Sequence, residues 1–347
     1  MRIYIAGSAK VVLPELGTCK ASHLLSILKL GGFELTFDPK ADCFLAVDHN
    51  KLAYKNFISG GGNPEKAFLL RLEPPSVFPA QYRKSVENKY GSIFTPGSIL
   101  QNSGNFYGWP YQIHADPTIP TAYRNGIEHI LAHSQFDYRD WSQRELFLTM
   151  IAANKVAPST DENYGLRRKF ARDLDFSDFH LYGALWNESM RLKLRHRLAV
   201  TYFAIRQGTL PNLASVYGNL FFKYPRSLGF VSDKHEVLKN SKFSLVIENS
   251  DTYVSEKLFD SIINGCIPVY FGPKLSVVGL PDDVAIQYDG PDSKISQYLE
   301  EISEVDIQYR LHAMSQFLNS KDFKECWLEN RVYEKIAREI FDKMLGA

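Results

Sequence analysis

One segment of the chain places polar side chains where α/β proteins bind their ligands. An apolar run at residues 243–247 ends in Glu248-Asn249-Ser250, and a second apolar run occupies residues 266–271. Between the two runs, Ser255 stands at the N-cap position of a predicted helix. The pattern predicts a strand, a polar loop, a helix and a second strand, which together form a β-α-β unit.

The first turn of this helix, Glu256 and Lys257, could bind a nucleotide-sugar. The N-terminus of a helix offers free N–H groups and partial positive charge that suit a phosphate, and Lys257 adds a full charge. Because phosphates repel a carboxylate, we expect Glu256 to accept hydrogen bonds from sugar hydroxyls, as acidic residues do with ribose in dinucleotide folds. Taken alone, the two residues fit equally well a capped surface helix with a glutamate at the favourable end of its dipole.

Three parts of this segment resemble the donor-binding signature of the α1,3/α1,4-fucosyltransferase family. They are Glu-Asn-Ser at 248–250, Tyr-Val-Ser-Glu-Lys-Leu at 253–258 and Ile-Pro-Val-Tyr-Phe-Gly-Pro at 267–273. The family usually has Thr at the position of Ser255, a change that keeps the hydroxyl. Exostosin-like glycosyltransferases share the helix and the Gly-Cys-Ile-Pro-Val run but generally lack the other two parts, so they are the alternative.

A second group of residues resembles the upstream part of the same donor domain. Ala153-Asn154-Lys155 follows a predicted strand, and Arg167 and Phe170 lie on the next predicted helix. The resemblance implies that Arg167 binds the pyrophosphate, with Arg168 as the second choice, and the planar fork of an arginine can grip phosphate oxygens bidentately. The alternative is a basic helix face that lies in solvent.

A third group, Leu70-Arg71-Leu72-Glu73-Pro74-Pro75, delivers a carboxylate at the end of a predicted strand. Pro74 restricts the backbone of the residue before it, so Glu73 is held in a defined position. The resemblance implies that Glu73 is the general base. The alternative is a structural glutamate that pairs with Arg71 or another cation.

For three further patterns we do not favour a functional role. The aromatic loop 106–111 could stack on acceptor sugars, but we favour a hydrophobic lid packed into the core. Glu128-His129 and His133 place two histidines one helical turn apart, without a third metal ligand nearby. Asp173-Leu174-Asp175 ends a basic helix rather than an apolar strand, so we interpret it as helix termination and not as a metal motif.

Composition limits the partners and the location of the protein. The chain has 347 residues with 45% apolar content and a formal net charge of +1, so nothing in its bulk charge favours nucleic acid. Four cysteines are far apart, which fits a reducing compartment. The N-terminal residues 1–7 form a predicted strand and not a signal peptide. We expect a bacterial enzyme of the cytoplasm, either soluble or in peripheral contact with the inner membrane.

Strand and helix patterns alternate along the chain, which predicts an α/β fold with parallel sheets. We expect a GT-B architecture of two Rossmann-like domains that face each other across a cleft. The acceptor-side domain occupies residues 1–150, the donor domain 151–320, and a C-terminal helix at 321–347 crosses back to the first domain. The segment 184–233 is longer than in compact members of the family, and the sequence predicts no function for it.

The resemblance implies an inverting transfer of L-fucose from GDP-fucose to a hydroxyl of a glycan acceptor. An α1,3 linkage and a bacterial surface polysaccharide or lipopolysaccharide are expected. Glu73 would act as base, while Arg167 and Lys257 neutralise the leaving pyrophosphate. Asn249 and Glu256 would hold hydroxyls of the sugar-nucleotide, and Tyr253 would form a wall of the site. No metal or other cofactor is required, although stimulation by a divalent cation and the oligomeric state stay open. The alternative from another class is a non-catalytic protein that binds nucleotide-sugars or glycans.

Overall fold

The computed structural model describes residues 1–7, 22–96, 106–107, 134–174, 179–224, 226–289 and 294–346. The chain divides into two compact units, Met1–His129 with Lys321–Ala347, and Ile130–Ser320. The boundary predicted at residue 150 falls inside the strand Leu146–Ile151. That prediction places the boundary too late, because this strand pairs on both sides with strands of the second unit.

The first unit contains a parallel sheet with helices between its strands. Its described strands are β1 (Arg2–Gly7), β2 (Glu34–Thr36), β3 (Cys43–Val47), β4 (Ala67–Leu70), β5 (Ser92–Pro96) and β6 (Phe106–Tyr107). They pair in the order β2-β1-β3-β4-β5-β6, and every pair is parallel. Its described α-helices before the C-terminal segment are α1 (Ser22–Leu30), α2 (Lys51–Ser59) and α3 (Lys84–Glu87).

The second unit repeats this architecture. Its described strands are β7 (Leu146–Ile151), β8 (Phe179–Tyr182), β9 (Ser241–Ile247), β10 (Ile267–Phe271) and β11 (Ile286–Gln287). They form a parallel sheet in the order β11-β10-β9-β7-β8. The described α-helices are α4 (Tyr138–Ser142), α5 (Tyr164–Asp173), α6 (Met190–Arg206), α7 (Leu213–Tyr217), α8 (Lys234–Lys239), α9 (Glu256–Ile263), α10 (Ile295–Glu300) and α11 (Glu304–Asn319).

The central strands are buried because their sequences are apolar on both faces. Every residue of β3 and of β4 is buried, as is the run 243–247 of β9. Helices cover both faces of an all-parallel sheet, so such strands lack the alternation of a half-exposed strand. The continuous apolar runs in the sequence are thus strands, as predicted.

The two sheets also share a topological switch point. In the first unit the strand order reverses between β1 and β3, and in the second unit it reverses between β7 and β9. The connections that leave these neighbouring strands run to opposite sides of the sheet, which opens a crevice beyond their carboxyl ends. Ligands of open α/β sheets bind in such crevices, so each unit has one address where a site is expected.

The C-terminal segment returns to the first unit, as predicted. Its helix α12 (Glu329–Leu345) buries Val332, Ile336 and Ile340, and the ring of Phe341 lies 4.9 Å from that of Phe33. The helix begins later than the predicted start at residue 321. A π-helical turn at Phe323–Trp327 comes first, and the extended backbone of Leu328 separates it from α12.

Among the residues described, no helix has both the length and the apolar character needed to cross a bilayer.

Gly183, just after β8, offers a test of the packing between neighbouring strand ends. Its φ of +134° is unfavourable for other residues, and an added Cβ would lie 2.1 Å from the carbonyl oxygen of Ala152. We expect Gly183→Ala to lower the free energy of unfolding by about 2–4 kcal/mol, because both the strain and the clash involve backbone.

The matched control is Gly165→Ala in helix α5, where the nearest atom to an added Cβ is 3.8 Å away. This change is expected to be neutral or to stabilise by up to about 1 kcal/mol. Urea unfolding of the wild type, Gly183→Ala and Gly165→Ala measures the two changes in stability. Equal midpoints for Gly183→Ala and the wild type would contradict the packing described for β8.

Candidate active site

A cavity of about 280 Å³ lies at the switch point of the second unit. It is lined by the carboxyl ends of β7 and β9 and by the first turns of α8 and α9. Its charged lining residues are Lys155, Arg167, Lys234, Glu256, Lys257 and Asp260. Four cations against two carboxylates leave two positive charges in the lining. The cavity therefore suits an anionic ligand.

The first unit has a cavity at its own switch point, and the two differ in charge. This cavity measures about 290 Å³ and lies beside the carboxyl end of β1 and the start of α2. Among the described residues, its lining contains Asn50 and Asn56 and no charged side chain. Both units have the same topology, and the described lining is positively charged only in the second unit.

Helix α9 brings its N-terminus to the charged cavity. Ser255 is the N-cap, as predicted, and its Oγ accepts a hydrogen bond from the Lys257 N–H at 3.4 Å. Glu256 and Lys257 follow in the first turn, and both line the cavity. A phosphate here would meet the positive end of the helix dipole as well as the ammonium group of Lys257.

The side chain of Glu248 fixes this helix start. Glu248 is fully buried just after β9, and its Oε1 accepts a hydrogen bond from the Ser255 N–H at 2.9 Å. Its Oε2 lies 3.4 Å from the Lys257 Nζ. The Lys257 Nζ also donates to the Ser255 Oγ. Sequence reasoning quoted Glu248 as part of a motif but gave it no role. A buried carboxylate that directly follows an apolar strand is the signal that could have found it.

Gly272, at the end of β10, makes room for this carboxylate. An added Cβ would lie 2.8 Å from the Glu248 Cγ and 2.5 Å from the Tyr270 hydroxyl oxygen. Close packing thus explains the glycine in the Gly-Pro that ends the predicted signature.

Arg167 lines the cavity, but two of its nitrogens are already engaged. Its Nε and Nη2 donate to the carbonyl oxygen of Ile247 at 3.1 and 2.6 Å. Nη2 also donates to the Asn249 Oδ1 at 2.9 Å. In the described part of the chain only Nη1 has no hydrogen-bond partner, so the bidentate grip expected from the sequence is not available in this arrangement. Arg168 is buried and donates to the carbonyl of Lys155, so it holds the backbone of a residue that lines the cavity.

The remaining predicted donor residues divide between lining and support. Asn249 lines the cavity, and its carbonyl accepts from the Asn163 N–H at 3.0 Å. Tyr253 is buried and does not line the cavity. The expected role of Tyr253 as a wall of the site stays a prediction.

The lysines of the cavity act on Glu256. Burial alone would raise the pKa of Glu256, but the positive charges of Lys257 and Lys234 and a hydrogen bond from its own N–H lower the pKa below its usual value. Lys155 contributes in the same direction. Glu256 is thus held as a carboxylate that can accept hydrogen bonds. Lys234 and its ion-pair partner Asp260 have no signal in the sequence motifs, and only the tertiary structure brings them to the site.

Glu73 lies in the first unit, directly after the strand β4 and its extension. Its N–H donates to the Asp48 Oδ1 at 3.1 Å, and its carbonyl accepts from the Gln81 Nε2 and the Tyr82 hydroxyl. The same Asp48 oxygen accepts from the Leu72 N–H and from Gln81. The backbone of Glu73 is therefore held on both sides, and its side chain is half-buried.

Arg71 does not pair with Glu73. Its guanidinium is fully buried, donates to Glu87 at 2.9 Å and stacks over the ring of Tyr82. The alternative in which Arg71 neutralises Glu73 is therefore wrong.

Asp48 was missed by sequence reasoning, although it determines the loop of Glu73. It is buried and adopts a φ of +56°, a left-handed conformation that Asp tolerates better than most residues. Its position after the apolar strand β3 is the one available signal.

Some predicted features lie outside the described residues. They include Gly108 to Tyr111 of the aromatic loop, the Glu128-His129 and His133 group, and Asp175. Phe106–Tyr107 form β6, and α5 ends at Asp173, as predicted for helix termination. The described residues contain no group of three or more His, Cys, Asp or Glu that could hold a metal ion.

The two parallel-sheet units define the GT-B fold of glycosyltransferases. The chain is similar to the crystal structure of an α1,3-fucosyltransferase with GDP, at a TM-score of 0.53 and 13% identity over 100% of this chain and 90% of that one. It is also similar to Alr3699/HepE of Anabaena in complex with UDP, at a TM-score of 0.51 and 9% identity, over 92% of this chain and 82% of that one.

Sequence comparison finds short matches to fucosyltransferases. A GDP-fucose protein O-fucosyltransferase 3 of Danio rerio is 33% identical over 82 residues, which are 22% of this chain and 18% of the relative. A fucosyltransferase-like protein of Arabidopsis thaliana is 51% identical over 43 residues, 12% of this chain and 8% of the relative. The chain thus spans less than a fifth of the curated relatives it matches, and no protein-family model matches it. The resemblance to fucosyltransferases indicated by the motifs is confirmed.

His49 gives the loop beside Asp48 a pH dependence. Burial, and then the charges of Lys89, Lys51 and Arg71, lower the pKa of His49 from its usual 6.5 to about 4. Between these values the unfolded chain binds a proton that the folded protein does not. Stability therefore falls by about 1.4 kcal/mol for each unit as the pH drops from 6.5 towards 4.

Urea unfolding between pH 4 and 7 measures this effect, and His49→Gln should flatten the pH profile relative to the wild type. The exposed histidine His312 provides the control, because His312→Gln should keep the wild-type profile. Parallel profiles for His49→Gln and the wild type would show that the His49 ring is not held neutral.

Proposed function

We propose that the protein transfers L-fucose from GDP-fucose to a hydroxyl group of a glycan acceptor. The observation that carries the proposal is the net positive cavity at the N-terminus of α9, where Lys257 and Glu256 stand side by side. Cations and helix N–H groups suit a pyrophosphate, and an adjacent carboxylate suits sugar hydroxyls. The proteins to which the chain is similar include fucosyltransferases and one crystal structure with GDP, and they support this choice of donor.

Different residues of the cavity would bind the pyrophosphate and the hydroxyl groups of the donor. Lys257, the N-terminus of α9 and the Nη1 of Arg167 bind the pyrophosphate, with Lys155 and Lys234 adding positive charge. Glu256 and Asn249 bind hydroxyl groups of the sugar-nucleotide. Because the protein supplies the cations, no metal is required for charge neutralisation, and a divalent cation would be at most a stimulant.

The reaction would be a single displacement with inversion at the anomeric carbon. Glu73 takes the proton of the acceptor hydroxyl, whose oxygen forms the new bond to that carbon. The bond to the pyrophosphate breaks on the opposite face through an oxocarbenium-like transition state. The negative charge that develops on the leaving GDP is stabilised by Arg167, Lys257 and the helix N–H groups, which are oriented before the reaction begins.

Lys257 provides the test of the donor site. We expect Lys257→Ala to weaken GDP binding about 10–100-fold in calorimetry, because a charge-assisted hydrogen bond contributes roughly 1.5–3 kcal/mol. The change also removes the ion-pair partner of the buried Glu248, so Lys257→Arg, which keeps the charge, shows whether folding is affected. Lys239→Ala on the exposed face of α8 is the matched control. Unchanged GDP affinity in a folded Lys257→Ala protein would remove Lys257 from the donor site.

Glu73 provides the test of the base. General-base catalysis contributes about 10²–10⁴-fold to a rate, so Glu73→Gln should lower kcat by that factor. GDP affinity should stay the same, because Glu73 is not among the residues that line the donor cavity. Glu65→Gln, an exposed glutamate of the same unit, should keep full activity. Near-normal turnover of Glu73→Gln would show that another group accepts the proton.

Two other functions fit parts of the site. An exostosin-like or other transferase would use a different nucleotide-sugar, and hydrolysis of a donor panel without acceptor separates it from a fucosyltransferase. A non-catalytic protein would bind GDP-fucose but would not transfer fucose to any acceptor. We favour an α1,3 linkage to a bacterial surface glycan. A screen of glycan and lipid-linked acceptors with GDP-fucose, read by mass spectrometry, identifies acceptor and linkage.

A further inference from the structure

The segment between Ser189 and Ser232 differs from the rest of the chain in charge. It contains seven Lys or Arg residues and no Asp or Glu, whereas the whole chain has a formal net charge of only +1. So long a stretch without a carboxylate concentrates positive charge in one part of the second unit.

The same segment exposes an unusual amount of apolar surface. Twelve of the twenty-one large apolar side chains that are exposed in the described residues lie between residues 190 and 230. Phe221 is 78% exposed, Leu210 92% and Phe230 82%. Single exposed apolar residues are ordinary, but a cluster of this kind marks a binding surface.

Helix α6 organises part of this surface into a stripe. Met190, Leu194, Leu198, Tyr202 and Ile205 are exposed, and they follow one another at spacings of four, four, four and three residues. Residues three and four apart share one face of a helix, so these five side chains form a continuous outward stripe. We call this stripe, together with Phe221, Phe222 and Phe230, the apolar surface.

The inward face of α6 explains why the stripe cannot turn inward. Arg197 is buried and donates from its Nε to the Val216 carbonyl at 2.8 Å. Lys193 is also buried, and its Nζ donates to the Phe222 carbonyl at 3.1 Å. These two cations attach the following loops to the helix. The outward direction of the apolar surface is therefore part of the folded structure.

Three arginines accompany the stripe. Arg191, Arg195 and Arg206 are exposed, and among the described residues none of them makes an ion pair or a side-chain hydrogen bond. An apolar stripe beside unpaired cations is the arrangement of a helix that lies in the interface of an anionic bilayer. We propose that the apolar surface and these arginines form a docking site for membranes that contain anionic phospholipids.

Other occupants fit this surface less well. A second copy of the chain would bring a segment of seven cations and no carboxylates against itself, and like charges facing each other are repelled. A nucleic acid would use the arginines but would leave the apolar stripe in water. An anionic lipid surface satisfies both, because its head groups pair with the arginines while the apolar side chains enter the acyl boundary.

The docking surface is also attached to the candidate donor site. The indole N–H of Trp186 donates to the carbonyl of Ala152 at 2.6 Å, and the Asn154 side chain donates to the Leu185 carbonyl. Ala152 lines the donor cavity. The residues just before the basic segment therefore contact Ala152 at the edge of that cavity. The docking itself does not depend on the proposed transfer reaction and can be tested without it.

Vesicle flotation with the full chain tests the proposal. The wild type should float with phosphatidylglycerol–phosphatidylcholine vesicles and should not float with pure phosphatidylcholine. Arg191→Gln, Arg195→Gln and Arg206→Gln together should lower binding about 100-fold, since each cation near an anionic surface contributes about a factor of five to ten. Leu194→Ser, Leu198→Ser and Tyr202→Ser together should lower it at least about 10-fold.

Control variants remove positive charge or apolar side chains at exposed positions elsewhere. Lys55→Gln, Lys84→Gln and Lys324→Gln control for charge, and Leu30→Ser with Val305→Ser controls for apolarity. Both controls should bind vesicles like the wild type, and all variants should keep the wild-type circular dichroism spectrum and urea midpoint, which shows that they are folded.

Several results would overturn the proposal. They are no flotation of the wild type, equal binding to neutral and anionic vesicles, or equal losses in the controls. In sedimentation analysis without lipid, a dimer that the serine variant converts to monomers would make a second copy the occupant. Tighter binding to RNA than to anionic vesicles, insensitive to the serine changes, would make the surface a nucleic-acid site.

Discussion

A buried carboxylate controls the geometry of the candidate donor site. Glu248 has no access to solvent and must therefore be paired, since an isolated buried charge is very costly. Its two oxygens are used by the N–H of Ser255 and by the ammonium group of Lys257. One side chain thus fixes both the place where helix α9 begins and the position of the cation that a phosphate would meet. Gly272 is needed because nothing larger fits beside this carboxylate.

The two units show how one topology serves two roles. Both sheets reverse their strand order at a switch point, and a cavity opens beyond each reversal. In the second unit four cations line the cavity, whereas the described lining residues of the first unit are uncharged. The fold supplies the crevice, and the residues at the strand ends decide what can bind in it. This division explains why the fold alone does not identify a ligand.

The residues after β3 and β4 hold the backbone of Glu73. Asp48, in a left-handed conformation, accepts hydrogen bonds from two consecutive N–H groups, and Gln81 and Tyr82 hold the carbonyl. A backbone fixed in this way gives the side chain a defined position. Arg71 pairs with Glu87.

The sequence by itself determined the parallel α/β architecture, the β-α-β unit around Ser255 and the position of Glu256 and Lys257 at a helix start. These features depend on local patterns, namely apolar runs, capping residues and spacing within a few residues. Only the tertiary structure decided that Lys234 reaches the cavity, that Arg167 is largely engaged by Ile247, and that Tyr253 is covered. Such contacts join residues that are far apart in the chain. A local sequence pattern does not show which distant residue a side chain will contact. The same reason explains why the outward face of α6 could not be assigned before the buried side of the helix was known.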